Sequence, residues 1–218
     1  MRYFSSFIAY LFHPLFMPLL FMVILYWINP MFVDFTERSN SSIMVISFLV
    51  STIILPGFAI LMMKGLNLIE GLTMRDKKER IGPLIVTGIF YLWIFINFRR
   101  NASVPDYILF FSLGSTIVVL LSFIFTLFYK LSLHTAGITG LTIALWLVKE
   151  KYHFHLYAIN AFKNKFVVDT DILMMILILC IGLVGSSRIY SKDHDKHQVY
   201  IGMCVGLLGM LTAYRFIY

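Results

Sequence analysis

The stretch YILFFSLGSTIVVLLSFIFTLFY, residues 107–129, contains no Asp, Glu, Lys or Arg. An α-helix rises about 1.5 Å per residue, so roughly 20 apolar residues are needed to cross the hydrocarbon core of a bilayer. This stretch meets that length and lacks the period-2 alternation of a barrel strand. Open strands are excluded at membrane depth because their edge amides would go unsatisfied. Six further runs approach the same length: 7–28, 43–63, 81–98, 131–148, 172–187 and 198–214. The expected fold is all-α, a polytopic transmembrane helical bundle of six to seven spans. His13, Pro14 and Pro18 interrupt the first run, as a kink or a re-entrant turn, and leave the count open by one.

Composition agrees with a bilayer protein. The chain has 218 residues, of which 60% are hydrophobic, 17% aromatic and only 13% charged, against about 25% charged in a typical soluble domain. The net charge of +7 does not point to nucleic acid, because the cations sit in short interhelical loops. Lipid headgroups or phosphates are the partners they suit. No repeat, linker or low-complexity tract divides the chain, so 1–218 reads as a single integral-membrane domain. The first run is longer than a signal-peptide core and has no small-residue cleavage site, which makes it a retained helix. Cys180 and Cys204 lie inside apolar runs without metal spacing. The aromatic residues Tyr26, Trp27, Tyr91, Trp93 and Trp146 suit interfacial belts, and Gly202 with Gly206 makes a small-xxx-small packing pair. A transporter would want ionisable residues in mid-helix, and the runs carry no Asp, Glu, Lys or Arg there.

With seven crossings the loops sort onto two faces. One face holds the N-terminus and the loops around 64–80, 130 and 187–197; the other holds those around 29–42, 99–106 and 149–171. Lys and Arg divide nearly evenly between them, so the positive-inside rule does not orient the chain. What differs is the company the cations keep. On the first face, three segments set basic residues against the start of a membrane helix, two of them with histidines: Arg75-Asp76-Lys77-Lys78-Glu79-Arg80-Ile81-Gly82-Pro83, Lys130-Leu131-Ser132-Leu133-His134-Thr135, and Ser187-Arg188 through His194 to Gln198. A phosphoryl transition state spreads negative charge over its oxygens, which positioned cations stabilise. Two histidines can supply a neutral nucleophile on one side and an acid on the other.

These three segments resemble the motifs of the type 2 phosphatidic acid phosphatases, membrane relatives of the vanadium haloperoxidases: K-x6-R-P, P-S-G-H and S-R-x5-H-x3-D. The third matches best, with Ser187-Arg188, five residues, then His194; Gln198 stands where the family has Asp. In the second, Ser132 and His134 fit while Leu131 and Leu133 replace Pro and Gly. The first is broken: aligning Pro83 puts Arg75 at the Lys position, whereas aligning Arg80 with the motif arginine puts Thr73 there. The resemblance covers about 70–215, leaving two N-terminal helices in 1–63. Two helices separate the first two motifs here, where the family has only a short segment.

The resemblance implies a phosphohistidine formed on His194, His134 as general acid, and Gln198 in place of the carboxylate that orients the nucleophile. It also implies phosphate ligands drawn from Arg80, Lys77, Arg75, Lys130, Ser132 and Arg188, with no metal and no cofactor. Asp193 and Asp195 flank His194 at a spacing that aims them elsewhere. The implied activity is hydrolysis of a lipid phosphate monoester or polyprenyl diphosphate in a bacterial inner membrane, at an extracytoplasmic face. Gln198, Leu133 and the broken first motif keep a second expectation in view, a degenerate relative serving as a lipid-binding or accessory subunit. His153, His155 and His197 are expected to be ordinary loop histidines.

Overall fold

The computed structural model describes residues 2–28, 39–72, 74, 76–153, 156–161 and 164–218, with side chains outside 2–4, 39–41 and 156–168. All seven apolar runs form helix. The first is split: α1 (Arg2–Leu11) ends at His13, a 3-10 turn occupies Pro14–Phe16, and α2 (Met17–Ile28) continues. Proline fixes its own φ and biases its predecessor to extended backbone, and His13 sits there at φ −64° and ψ 134°. The second run is α3 (Ser39–Leu49), a wide π turn over Val50–Ile54, and α4 (Leu55–Gly65), whose second residue is Pro56. There follow α5 (Ile81–Arg99), α6 (Asp106–Phe128), α7 (Leu133–Tyr152), α8 (Thr170–Tyr190) and α9 (Lys196–Ile217). The loop before α8 contains a β-hairpin, β1 (Leu156–Ala161) antiparallel to β2 (Asn164–Asp169). Its backbone amides pair with each other at the end of the bundle.

Six helical segments among the described residues are long and apolar enough to cross a membrane: Ser5–Ile28, Ser42–Gly65, Lys78–Arg99, Asp106–Phe128, Thr170–Tyr190 and Lys196–Ile217. The chain is an integral membrane protein. Helix α7 is the seventh long helix and the most enclosed, with buried residues spread from Thr135 to Lys149. At one end the Ser132 amide donates to the Gln198 carbonyl; at the other the buried Lys149 ammonium pairs with Asp171 at the start of α8. It therefore runs the length of the bundle, about 30 Å for its 20 residues. Because protein rather than lipid surrounds it, α7 tolerates the buried hydroxyls of Thr135, Thr139 and Thr142.

The crossing of α7 with α9 is set by glycine. A Cβ on Gly202 would collide with the Ser132 carbonyl and the Thr135 hydroxyl, and one on Gly206 with the Ala136 carbonyl. The small-xxx-small pair is thus the contact that lets the two backbones touch. Thr135 Oγ1 donates across it to the Val199 carbonyl at 3.1 Å. This crossing brings the N-terminal ends of α7 and α9 together, and with them His134, His194 and Gln198.

Candidate functional site

Between α8 and α9 the chain turns in a few residues. Lys192 takes a left-handed φ of 59°, and the His194 amide donates back to the Arg188 carbonyl at 3.3 Å. That turn folds His194 into the protein, leaving it 6% exposed. Its Nδ1 lies 2.7 Å from Gln198 Oε1, one helical turn along at the start of α9. An amide oxygen only accepts, so Nδ1 carries the proton and Nε2 the lone pair. Burial pushes the imidazole pKa down to about 4 against the upward pull of the Gln198 bond, with Arg80 and Lys130 adding to the depression. His194 is therefore neutral at physiological pH, the form in which imidazole attacks phosphorus.

Arg80 enters from a 3-10 turn, Lys78–Arg80, at the mouth of α5. The preceding loop is held by Glu79, whose carboxylate accepts from the Glu70 amide at 2.9 Å. The Arg80 guanidinium donates from Nε to the Met74 carbonyl at 2.9 Å and from Nη1 to the Leu131 carbonyl at 3.0 Å. Lys130 donates to the Asp193 carbonyl at 3.0 Å; burial and then Arg80 lower its pKa, while Asp193, Asp195 and Asp76 oppose that. Arg188 donates from Nη2 to the Ser5 carbonyl at 2.9 Å and from Nη1 to Asp193 Oδ2 at 3.2 Å. Asp193 Oδ2 also accepts from the Ser191 hydroxyl at 2.6 Å.

One cavity of about 690 Å³ gathers these groups. Arg80, Lys130, His134, Arg188, Asp193 and His194 line one end, and Tyr91, Phe111, Val118, Gly140 and Met210 line the interior. The interior reaches Ser115 on α6, a helical rise of about 20 Å from Phe128 at the end of that helix. The cavity is thus cationic at one end and largely apolar deep within the bundle.

Not every residue named from the sequence arrives there. Lys77 donates to the Leu127 and Phe128 carbonyls, each at 3.4 Å, and so caps the C-terminal end of α6. Ser132 is fully buried and N-caps α7, its hydroxyl accepting from the Thr135 amide at 3.4 Å. That is the ordinary use of serine before a helix, and it directs the side chain into its own helix end. Arg75, like Thr73, lies outside the described residues. His134 does line the cavity, and its Nε2 lies 3.2 Å from the Ala9 carbonyl. A carbonyl only accepts, so this nitrogen holds a proton.

The N-terminal segment is what the sequence reading passed over. Ser5 bonds Arg188, the Ala9 carbonyl meets His134, and His13 lines the cavity with its ring centroid 5.6 Å from that of His134. The signal in the sequence was His13 itself, an imidazole beside Pro14. It lay in a run otherwise read for its length and its prolines.

No family model matches the chain, and neither does any curated protein or solved structure. The resemblance to the phosphatidic acid phosphatases rests on the three sequence segments quoted above alone.

Proposed function

We propose that the protein is a membrane lipid phosphatase of the type 2 phosphatidic acid phosphatase kind, cleaving a phosphate monoester or diphosphate from a lipid without a metal. The observation that carries this reading is the meeting of a neutral, Gln198-backed His194 with Arg80, Lys130 and Arg188 at the cationic end of a cavity whose interior is apolar. A soluble phosphate would need only the first part; a hydrocarbon chain attached to the phosphate fits the second.

In the proposed cycle, His194 Nε2 attacks phosphorus and forms an N–P bond as the P–O bond to the lipid breaks. The bond's electron pair stays on the lipid oxygen, which takes a proton from His134. Because the Ala9 carbonyl holds the proton of His134 on Nε2, Nδ1 of the neutral ring acts as a relay, taking the proton of the phosphate monoanion and passing it to that oxygen. Water then attacks phosphorus as the N–P bond breaks and its electron pair returns to His194 Nε2; the water's proton passes through His134 Nδ1 to the inorganic phosphate that leaves. Arg80, Lys130 and Arg188 stabilise the charge on the non-bridging oxygens throughout. Gln198 holds the nucleophile's tautomer but adds no negative charge behind the cation that forms. Its turnover is accordingly expected to be slower than with a carboxylate there. The work takes place at an extracytoplasmic face of a bacterial inner membrane.

A second reading, a lipid-phosphate-binding accessory subunit, is favoured by the commitments of Ser132 to a helix cap and Lys77 to the end of α6. One assay separates the two. Purified protein in detergent is given phosphatidate, an alkyl phosphate and a polyprenyl diphosphate, and released phosphate is measured beside His194→Ala. Release abolished by the substitution and by vanadate supports the phosphatase. Equal release by both proteins overturns it, and retained lipid-phosphate binding without release assigns the accessory role.

A further inference from the structure

The N-terminal segment makes three contacts with the site, two from α1 and one from His13 in the extended link that follows it. Ser5 accepts from Arg188 Nη2 through its carbonyl at 2.9 Å and its hydroxyl at 3.3 Å, and that hydroxyl donates to the Ser187 carbonyl at 2.9 Å. One turn on, the Ala9 carbonyl meets His134 Nε2. In the link, the His13 ring stands at 88° to the His134 ring. His13 is itself fixed. It N-caps the 3-10 turn, its Nδ1 accepting from the Leu15 amide at 3.3 Å, so its own proton resides on Nε2. The turn is seated on Gly137, where an added Cβ would stand 3.1 Å from Met17 Cγ and 3.5 Å from Pro14 Cα. Ile8, 2% exposed, anchors the same helix in the core.

We propose that α1 is a working part of the site and that His13 is a positioning residue for His134. His134 opens α7 at its first turn, where side chains otherwise keep rotational freedom. The Ala9 carbonyl fixes which nitrogen keeps a proton, and the perpendicular His13 ring fixes the plane of the imidazole. Together they aim Nδ1, the nitrogen from which a leaving oxygen would be protonated. A Phe at position 13 retains the ring contact without the cap, whereas an Asn retains the cap without the ring. The pair therefore separates holding His134 from merely ending a helix. The catalytic half of this inference rests on the phosphatase reading; the tautomer half does not.

The test has two readouts on the full chain in detergent. In [15N]histidine-labelled protein, with the His134 signals assigned by loss in His134→Gln, wild type and His13→Phe are expected to show a single Nε2-protonated tautomer. His13→Asn is expected to show averaging between tautomers. In hydrolysis, His13→Asn is expected to lower kcat for an alkyl phosphate about 10- to 100-fold, with KM little changed. Its kcat for p-nitrophenyl phosphate, whose leaving group needs no acid, should stay within about 3-fold. Gly137→Ala, which leaves His13 intact and displaces Pro14, should shift both readouts in the same direction and stands in should His13→Asn fail to fold. An unchanged His134 tautomer in both variants overturns the proposal, as does an equal loss on both substrates. Full activity in His194→Ala would remove the phosphatase reading while leaving the tautomer result to decide what His13 does.

Discussion

His194 Nδ1 and Gln198 Oε1 lie 2.7 Å apart, one turn from each other at the entrance to α9. The contact gives His194 a fixed tautomer without an opposing charge. Gln198→Ala should therefore lower kcat by an order of magnitude or more with a smaller change in KM. Gln198→Glu, of the same length, should raise the His194 pKa, because a neighbouring carboxylate favours the cation. The checks are steady-state kinetics and the position of the acidic limb of kcat/KM.

The wild-type pH profile is expected to be unusual. An unperturbed histidine would lose its nucleophilic form as pH falls through about 6.5. With its pKa held near 4, His194 keeps the lone pair through mildly acidic conditions. The acidic limb of kcat/KM should fall near pH 4, and a limb near 6.5 that disappears in His194→Ala would contradict the buried setting. Stability follows the same group. Its folded pKa lies below its unfolded one, so the unfolded chain binds the proton first; stability from the neutral, buried ring is complete above about pH 6.5 and is lost progressively toward pH 4. Thermal melts in detergent across that window, with and without His194→Gln, should show the difference.

Arg80 and Lys77 are neighbours in sequence with separate tasks. Lys77→Ala should cost about 0.3–1 kcal/mol of stability through the loss of a C-terminal cap and leave phosphate or vanadate affinity near wild type. Arg80→Ala removes a cavity-lining cation that also braces the Met74 and Leu131 carbonyls. It should weaken vanadate inhibition at least 10-fold, an ordinary cost for a charge-assisted contact.

Glycines in similar runs should respond in opposite ways. Gly206→Ala forces a methyl into the Ala136 carbonyl and is expected to cost about 1–3 kcal/mol by overpacking, read as a lower melting temperature. Gly182→Ala meets nothing within 4 Å and should be neutral or slightly stabilising.

Ser115 lies deep in the cavity. Ser115→Phe fills that end and should shorten the longest alkyl phosphate turned over, leaving short-chain substrates unaffected. Equal loss for all chain lengths would place the hydrocarbon elsewhere.

The helical bundle was legible because membrane depth allows so few alternatives: each uncharged run became helix. The third segment was legible for a related reason, since His194 and Gln198 are close in sequence and local geometry brings them together. The destinations of Lys77 and Ser132 were not, although both lie in the three segments that drew attention. Each answers a backbone demand, a free carbonyl at the end of α6 or a free amide at the start of α7, and such demands appear only once the ends of the helices are placed. His13 was hidden differently. A His-Pro pair within an apolar run reads as an interruption, and only the packing of Pro14 against Gly137 turns the interruption into a contact with His134. The hairpin before α8 lay in a segment read simply as a loop.

The enclosure of α7 has a consequence for biogenesis. This helix is more polar than its neighbours, and the surface it needs is supplied largely by α9, which is synthesised after it. Until α9 leaves the ribosome, Thr135 and Ala136 have no Gly202–Gly206 groove against which to settle. Insertion of the chain thus cannot be completed segment by segment in order. A nascent protein stopped before α9 should hold α7 loosely at the translocon and be open to quality-control proteolysis, even with the five other apolar segments already in the bilayer.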